Sequence, residues 1–408
     1  MSGSLSRRRL LELAGLGGVA AVAAGSGAVL FERRENGDDG GTAVQKVPFY
    51  GTTQAGVVTP QQSHLRFASY DLTASSATEV RDLLRTWTAA AARYSVGDTT
   101  PSDVGGEFAP PDDTGEAGGL RPSRLTLTFG FGPGLFDDRY GLAAKRPAEL
   151  IDIPSFELDQ LDHAESGGDL CVQACADDPQ VAFHAIRNLT RTSHGAASLR
   201  WVQEGFLSKT TEGTGTPRNL MGFKDGTANL DPGDDARMRE NVWASPNART
   251  AWMTNGTYLV ARKIRIRIEQ WDRTAIGEQE QFVGRTKDAG APIGATREHD
   301  DVDTSHLDIA SHIRLANPRT GDKSERERIL RRGYNFAEGI DEIGQMGAGL
   351  FFLGYQQDPR RQFVSIQSRL AASDLLNEYL FHTGSALFAV PPGVQPGRYL
   401  GESLFARA

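Results

Sequence analysis

Two stretches of this chain share one boundary chemistry. Asp169–Leu189 and Gly349–Leu370 each run from an apolar segment through an Asp-Pro step into an amphipathic one. Asp178-Pro179 is matched by Asp358-Pro359 about 180 residues further on. An Asp side chain accepts backbone N–H groups at a helix start, and Pro suits the first turn, so each step predicts a strand handing over to a helix. A passage that recurs at this distance constrains the chain to an internal duplication.

The surrounding elements agree. His64–Leu72 reads as a short strand with Leu65 and Phe67 on one face. Ser76-Ala77-Thr78-Glu79 reads as a capping box, followed at helical spacing by Val80, Leu83, Leu84, Trp87, Ala91 and Tyr94. Arg124–Phe131 alternates, placing Leu125, Leu127, Phe129 and Phe131 on one side. A strand over Asp169–Ala176, a helix from Pro179 and a strand over Leu199–Leu207 complete the order βαββαβ, the ferredoxin-like motif. The second half repeats it. Thr257–Ile268 alternates Ile264, Ile266 and Ile268 with Arg265 and Arg267, a helix passes through Gln279–Val283, and Gly349–Tyr355 is an apolar strand. Asp358-Pro359 then opens a helix bearing Phe363, Ile366 and Leu370, and Ala386–Val390 closes the unit. The predicted fold class is α+β, with duplicated ferredoxin-like βαββαβ units (47–215 and 216–408) whose antiparallel sheets pack together. Polar inserts at Gly97–Gly119 and Thr286–Ser305 read as surface loops.

Residues 1–31 do not read as part of this fold. Ser6-Arg7-Arg8-Arg9-Leu10-Leu11 precedes a weakly apolar run from Leu13 to Phe31, the layout of an export signal, and the paired arginines specify the twin-arginine route. A membrane anchor is the competing reading, but Gly15, Gly17, Gly18, Gly25 and Gly27 suit one poorly. A polar linker, 32–46, follows. The chain is therefore expected outside the cytoplasm, periplasmic or at the cell surface. Twin-arginine export carries folded cargo, which suits a protein that takes up a cofactor before leaving. Cys171 and Cys175 are the only cysteines. Four strand residues span about 13 Å, too far for a disulfide, so they read as two buried thiols. A net charge of −8 argues against a nucleic-acid partner.

Three segments carry chemistry. Asn219-Leu220-Met221-Gly222-Phe223-Lys224-Asp225-Gly226-Thr227-Ala228-Asn229 holds a carboxylate between glycines that permit close approach to a flat ligand; an ordinary Asp-Gly turn is the bland alternative. His312 lies in a short segment that ends at Asn317-Pro318, where proline stops a helix. A neutral imidazole is a common axial ligand to haem iron. A single histidine more often only makes hydrogen bonds, and on spacing alone His306 serves nearly as well. Arg331-Arg332 follows the charged run Lys323–Arg328 and on its own reads as solvated surface.

Taken together and in this order, these segments resemble the dye-decolorising peroxidase family, particularly its exported deferrochelatase/peroxidase branch. His312-Ile313-Arg314-Leu315-Ala316-Asn317-Pro318-Arg319 looks like the family's proximal-histidine motif, Gly222–Gly226 like its G-x-x-D-G signature, and Ile329-Leu330-Arg331-Arg332-Gly333-Tyr334 like the segment of its distal arginine. The resemblance implies haem b, held through His312. It implies Asp225 as distal acid/base, Arg331 as the distal cation, and haem contacts from Gly226, Thr227, Ala228, Asn317, Pro318 and Arg319, the last beside a propionate. Gly51-Thr52-Thr53-Gln54-Ala55-Gly56 departs from the family, because Thr53 stands where histidine is usual. The implied activity is peroxide-driven, one-electron oxidation of dye-like or phenolic donors. A carboxylate beside a fixed cation stays ionised in acid, so acidic pH should suit it. Trp201, Trp243, Trp252, Trp271 and Tyr334 are the aromatics considered for carrying electrons to bulky donors. The second reading is deferrochelatase, which takes iron from haem and leaves the porphyrin intact, alongside iron-uptake components. Non-catalytic haem carriage and a metal-free ferredoxin-like binding module are further readings. The expected partners are hydrogen peroxide, small electron donors, the twin-arginine export machinery and further copies of the chain.

Overall fold

The computed structural model describes residues 46–99, 108–208, 215–341 and 343–406. The arginine-led leader and residues 32–45 of the linker lie outside the described residues. Among the described residues no helix is long and apolar enough to cross a membrane.

The first unit runs β1 (His64–Leu72), α1 (Ala77–Ser95), β2 (Thr126–Phe131), β3 (Leu170–Ala176), α2 (Pro179–Thr192) and β4 (Ala197–Phe206). After α3 (Asp235–Asn241), the second runs β5 (Thr257–Ile266), α4 (Ile268–Trp271), α5 (Ile276–Val283), α6 (His312–Ala316), α7 (Asp322–Arg326), β6 (Leu330–Arg331), β7 (Tyr334–Ile340), β8 (Met346–Gln356), α8 (Phe363–Ser373) and β9 (Leu380–Val390). In the first, β1 lies between β3 and β4, and β2 pairs with β3, all antiparallel. In the second, β5 lies between β8 and β9, and β7 pairs with β8. The two halves thus have the same ferredoxin-like strand order.

The sheets do more than pack face to face. Phe131 pairs with Ala389 and Phe206 with Asn335, so the outer strands are stitched and the order closes as β2-β3-β1-β4-β7-β8-β5-β9-β2. Each seam is a single backbone pair, so the two sheets meet at one point along their outer strands. Alternation then sorts side chains to two cores. Leu65, Phe67, Cys171 and Cys175 point inward with Leu259, Phe351 and Phe388, while Tyr70, Phe129 and Val172 point outward onto Val80, Leu84 and Trp87 of α1. Both faces are covered, which is why β2 and β3 are buried at every residue. Trp87 is 1% exposed and donates to the Leu189 carbonyl at 3.0 Å. Its truncation to Ala should cost about 3–5 kcal/mol. Both cysteines are buried and free, and burial pushes the Cys171 thiol's pKa well up.

Four local expectations change. Ser76 caps α1, but Glu79 reaches back to the Ser75 N–H and hydroxyl instead of closing the box on Ser76. Asp178 caps α2 through Gln180 and Val181, whereas Asp358 accepts only from Arg360, backbone and side chain, and α8 begins at Phe363. There Gln362 bonds the carbonyls of Asn241 and Arg328 and delays the helix. The alternating strand stops at Ile266, and Ile268 begins α4. Neither polar insert is merely a surface loop. Asp113 is fully buried against His184, at 2.9 and 3.1 Å, and the 286–305 segment docks onto the Asp225 loop.

Candidate functional site

The Asp225 loop is a folded-back turn pinned at both ends. The Asp225 N–H bonds the Pro217 carbonyl at 2.8 Å, and Arg218 and Lys224 form a bridge across the turn. Gly222 (φ +87°) and Gly226 (φ +130°) occupy the left-handed region that favours glycine, so they let the chain turn on either side of the acid. Downstream, Asn229 exchanges two bonds with the backbone of Arg331, at 2.9 and 2.7 Å. That lock carries Arg331 to the acid, and its Nη1 donates to Asp225 Oδ1 at 2.7 Å. Asp225 Oδ2 makes no hydrogen bond among the described residues. Beside the pair opens a cavity of about 40 Å³ lined by Gln61, Asp225, Gly226, Asn229, Arg331 and Asn335. A water-sized molecule needs roughly 10–15 Å³, so a molecule of peroxide's size fits.

His312 opens α6, which stops at Asn317 because Pro318 cannot continue it. Its Nδ1 lies 2.6 Å from Oδ2 of Asp374, a carboxylate whose side chain is 3% exposed. Asp374 is itself fixed, since Oδ1 accepts from the Leu376 N–H at 3.0 Å. A carboxylate acceptor assigns the ring proton to Nδ1 and leaves the Nε2 lone pair free. Nε2 makes no hydrogen bond among the described residues, and 35% of the side-chain surface stays accessible. Burial pushes the imidazole pKa down, but the charge and hydrogen bond of Asp374 outweigh it, and the net shift is upward. Arg331 and Asp225 are near enough to shift the ring too, in opposite directions. His306, by contrast, is exposed near Asp303 at 3.6 Å.

The remaining expected contacts gather around these groups. Thr227 donates to Glu298 at 2.8 Å, and the Ala228 carbonyl accepts from Arg328 at 3.0 Å. The Asn317 side chain accepts from the Arg319 N–H, and the Arg319 guanidinium binds the carbonyls of Ile313 and Asn317. Burial lowers the Arg319 pKa, as do neighbouring Arg285 and Arg328; burial lowers that of Arg285 as well, with Arg331 adding to the effect. Arg285, Arg319, Arg328 and Arg331 therefore form a cationic wall. Sequence reasoning missed Asp374, Asn229, Arg285 and Glu298. Of these only Asn229 carried a signal, as the end of the glycine-flanked segment. Gln54, in the segment that departs at Thr53, is a strap: it binds the carbonyls of Phe129 and Pro391 and the Phe129 N–H. Trp252, Trp271 and Tyr334 are buried, and Trp201 and Trp243 are half-buried.

These residues fit a haem. His312 offers a free imidazole nitrogen, and no group of three or more His, Cys, Asp or Glu among the described residues could hold a bare metal ion. The guanidiniums of Arg285 and Arg319 bond only backbone carbonyls, and with Glu298 near Arg285 it is the Arg319 charge that is left for an anionic guest. A tied imidazole, an acid–guanidinium pair and a peroxide-sized cavity define an enzyme of the peroxidase type. The comparisons agree: family models described as Dyp-type peroxidase, N-terminal, and Dyp-type peroxidase, C-terminal, match residues 54–207 and 216–395. The chain belongs to the Dyp-type peroxidase family. It is 39% identical over 415 residues to a deferrochelatase of Escherichia coli O157:H7, covering 98% of this chain and 96% of that protein. DtpA from Streptomyces lividans, solved as an oxyferrous complex, is 36% identical with a TM-score of 0.81, over 89% of this chain and 98% of that one. A DyP-type peroxidase from Cellulomonas bogoriensis is 39% identical with a TM-score of 0.79, over 88% and 98%.

Proposed function

We propose that this chain is a haem b peroxidase in which His312 holds the iron from one side and Asp225 and Arg331 handle peroxide on the other. The observation that carries the assignment is His312 itself, with one nitrogen fixed by a buried carboxylate and the other free. When bound, the haem supplies an iron that exchanges electrons with peroxide and then with two one-electron donors. Asp225 Oδ2, unbonded, takes the proton from the near oxygen of peroxide and returns it to the leaving oxygen. Arg331 stabilises the negative charge that gathers there, and its hydrogen bond to Oδ1 fixes which carboxylate oxygen faces the substrate. Asp374 keeps the imidazole oriented and electron-rich. Gly226, Thr227, Ala228, Asn317 and Pro318 border the porphyrin, and Arg319 meets a propionate. Bulky organic donors give up their electrons outside the site. An absorption spectrum before and after one equivalent of hydrogen peroxide tests the reading. A Soret band that changes with peroxide is expected, and its absence from haem-supplied protein would defeat the proposal.

The 39% identity to a named deferrochelatase over nearly both chains favours a second activity at the same site. With excess haem, metal-free porphyrin fluorescence would reveal iron release, and none over many haem equivalents would restrict the chain to peroxidase work. The arginine-led leader supports twin-arginine export to the periplasm or cell surface, with iron-uptake components as partners there. Retention in the cytoplasm when the twin-arginine translocase is deleted tests the route. Association of copies is read by light scattering.

A further inference from the structure

Thr286–Ser305 has the composition of a surface loop, yet four residues around the distal acid, Thr216, Arg218, Lys224 and Thr227, hydrogen-bond to it. Lys224 Nζ donates to Glu298 Oε2 at 2.5 Å, and Thr227 donates to Oε1 at 2.8 Å, as does Thr216. Arg218 reaches the Lys287 and Asp288 carbonyls, the latter at 2.7 Å. Two glycines shape the contact. A Cβ on Gly290 would meet the Lys224 stem at 2.7 Å, and one on Gly222 the Lys287 stem at 2.6 Å, both at left-handed φ. One carboxylate, 13% exposed, thus takes donors from the residue before Asp225 and from the second residue after it. Burial pushes the Glu298 pKa up, but the bonds from Lys224, Thr216 and Thr227 bring it down to about 2, so it stays ionised at any working pH. Its own carbonyl accepts from Arg285 at 2.9 Å, which ties the insert to the cationic wall as well.

We propose that Glu298 is a positioning residue that clasps the Asp225 loop shut, and that this clasp sets how long haem stays bound. The inference rests on the haem reading above, because the loop it fastens is the one that carries Gly226, Thr227 and Ala228. The consequence is specific to a protein for which haem is both cofactor and, in the second reading, substrate. A closed clasp keeps the porphyrin for repeated peroxide turnovers, whereas an open one lets it exchange. Glu298 touches neither peroxide nor iron in this scheme; it acts through the loop.

The test is haem transfer from loaded protein to excess apomyoglobin, for the parent, Glu298→Ala, Glu298→Gln and the control Asp300→Asn. Asp300 sits in the same insert but bonds only Thr296 and Arg297. Losing a charge-assisted hydrogen-bond set should speed haem loss on the order of tenfold in Glu298→Ala. Glu298→Gln keeps an acceptor for Thr227 but no charge for Lys224, so it should fall between Ala and the parent. This graded rescue, with Asp300→Asn at the parental rate, is what a purely scaffolding role would not produce. If Glu298→Ala fails to fold, Glu298→Gln carries the test, and a severalfold faster loss supports the clasp. Parental rates in both Glu298 variants, or equal acceleration in Asp300→Asn, would overturn it. A parent that takes up no haem brings down the peroxidase reading and the clasp together, whereas haem-loaded variants with parental rates bring down the clasp alone.

Discussion

Asp374→Asn is the sharpest perturbation of this site, because it removes the charge and replaces the oxygen facing His312 Nδ1 with an N–H donor while keeping the side chain's size. The substituted amide keeps an oxygen for the Leu376 N–H, so the turn that Asp374 caps survives. What disappears is the carboxylate 2.6 Å from His312 Nδ1. At 3% side-chain exposure, solvent barely screens this interaction, so it falls among hydrogen bonds to charged groups, about 1.5–3 kcal/mol. At 1.4 kcal/mol per tenfold, haem affinity should drop roughly 10- to 100-fold. That matches the usual effect of removing the partner that orients a metal-binding histidine.

Two assays read this prediction independently. Haem titration followed at the Soret band gives the affinity. In haem-free protein, NMR of the imidazole gives the sign of the electrostatics. Asp374 holds the His312 pKa above its ordinary value against burial, so removing the charge should let burial win and bring it below 6.5. By linkage, the parental pair stabilises the haem-free fold fully below the unfolded-state value and loses that contribution as pH rises through the raised one. Haem affinity within about twofold of the parent, with an imidazole pKa that does not fall, would refute the claim that Asp374 orients and polarises the ligand.

Three further outcomes are expected. Asp225→Asn should retain the haem spectrum but lose peroxide-driven dye oxidation by about 10²- to 10⁴-fold, the usual worth of a positioned acid/base, in stopped-flow mixing with peroxide. Glu298 has a depressed folded-state pKa, about 2 against 4.5, so its stabilisation is present above pH 4.5 and lost as pH falls toward 2. The gap in melting temperature between the haem-free parent and Glu298→Gln should accordingly narrow over that window. Cys171 and Cys175, buried and free with the Cys171 pKa raised by burial, should resist a thiol reagent in native protein and both react after denaturation.

The parts of this architecture legible in the sequence were those written in local periodicity. Leu125, Leu127, Phe129 and Phe131 alternate, and they do line one face of β2; Val80, Leu84 and Trp87 follow helical spacing, and they do pack beneath it. Barrel closure had no such signature. It rests on the backbone pairs Phe131–Ala389 and Phe206–Asn335, which join residues more than a hundred positions apart. The same holds at the site. Asp225, His312 and Arg331 stand in short segments whose residue types carry a pattern, while Asp374 lies 62 residues from the histidine it orients, in a turn with no distinguishing composition. Glu298 was hidden for the opposite reason: its insert is polar because it binds a charged loop, and polarity alone looks like solvation.

The cationic wall shows why these pieces belong to one site. The chain carries a net charge of −8, yet Arg285, Arg319, Arg328 and Arg331 are gathered where each disfavours another. Burying like charges is costly, and the guanidiniums of Arg285 and Arg319 hydrogen-bond only backbone carbonyls. On the proposed reading, a porphyrin bearing two carboxylates would repay that cost. Asp225 offsets Arg331 on the peroxide side, and Glu298 is near enough to offset Arg285. On the proposed reading, the distal acid and the carboxylate beside its loop would therefore also balance the charge facing the haem. Removing Asp225 should therefore change the peroxide chemistry with the haem retained, whereas removing Glu298 should change how long the haem stays.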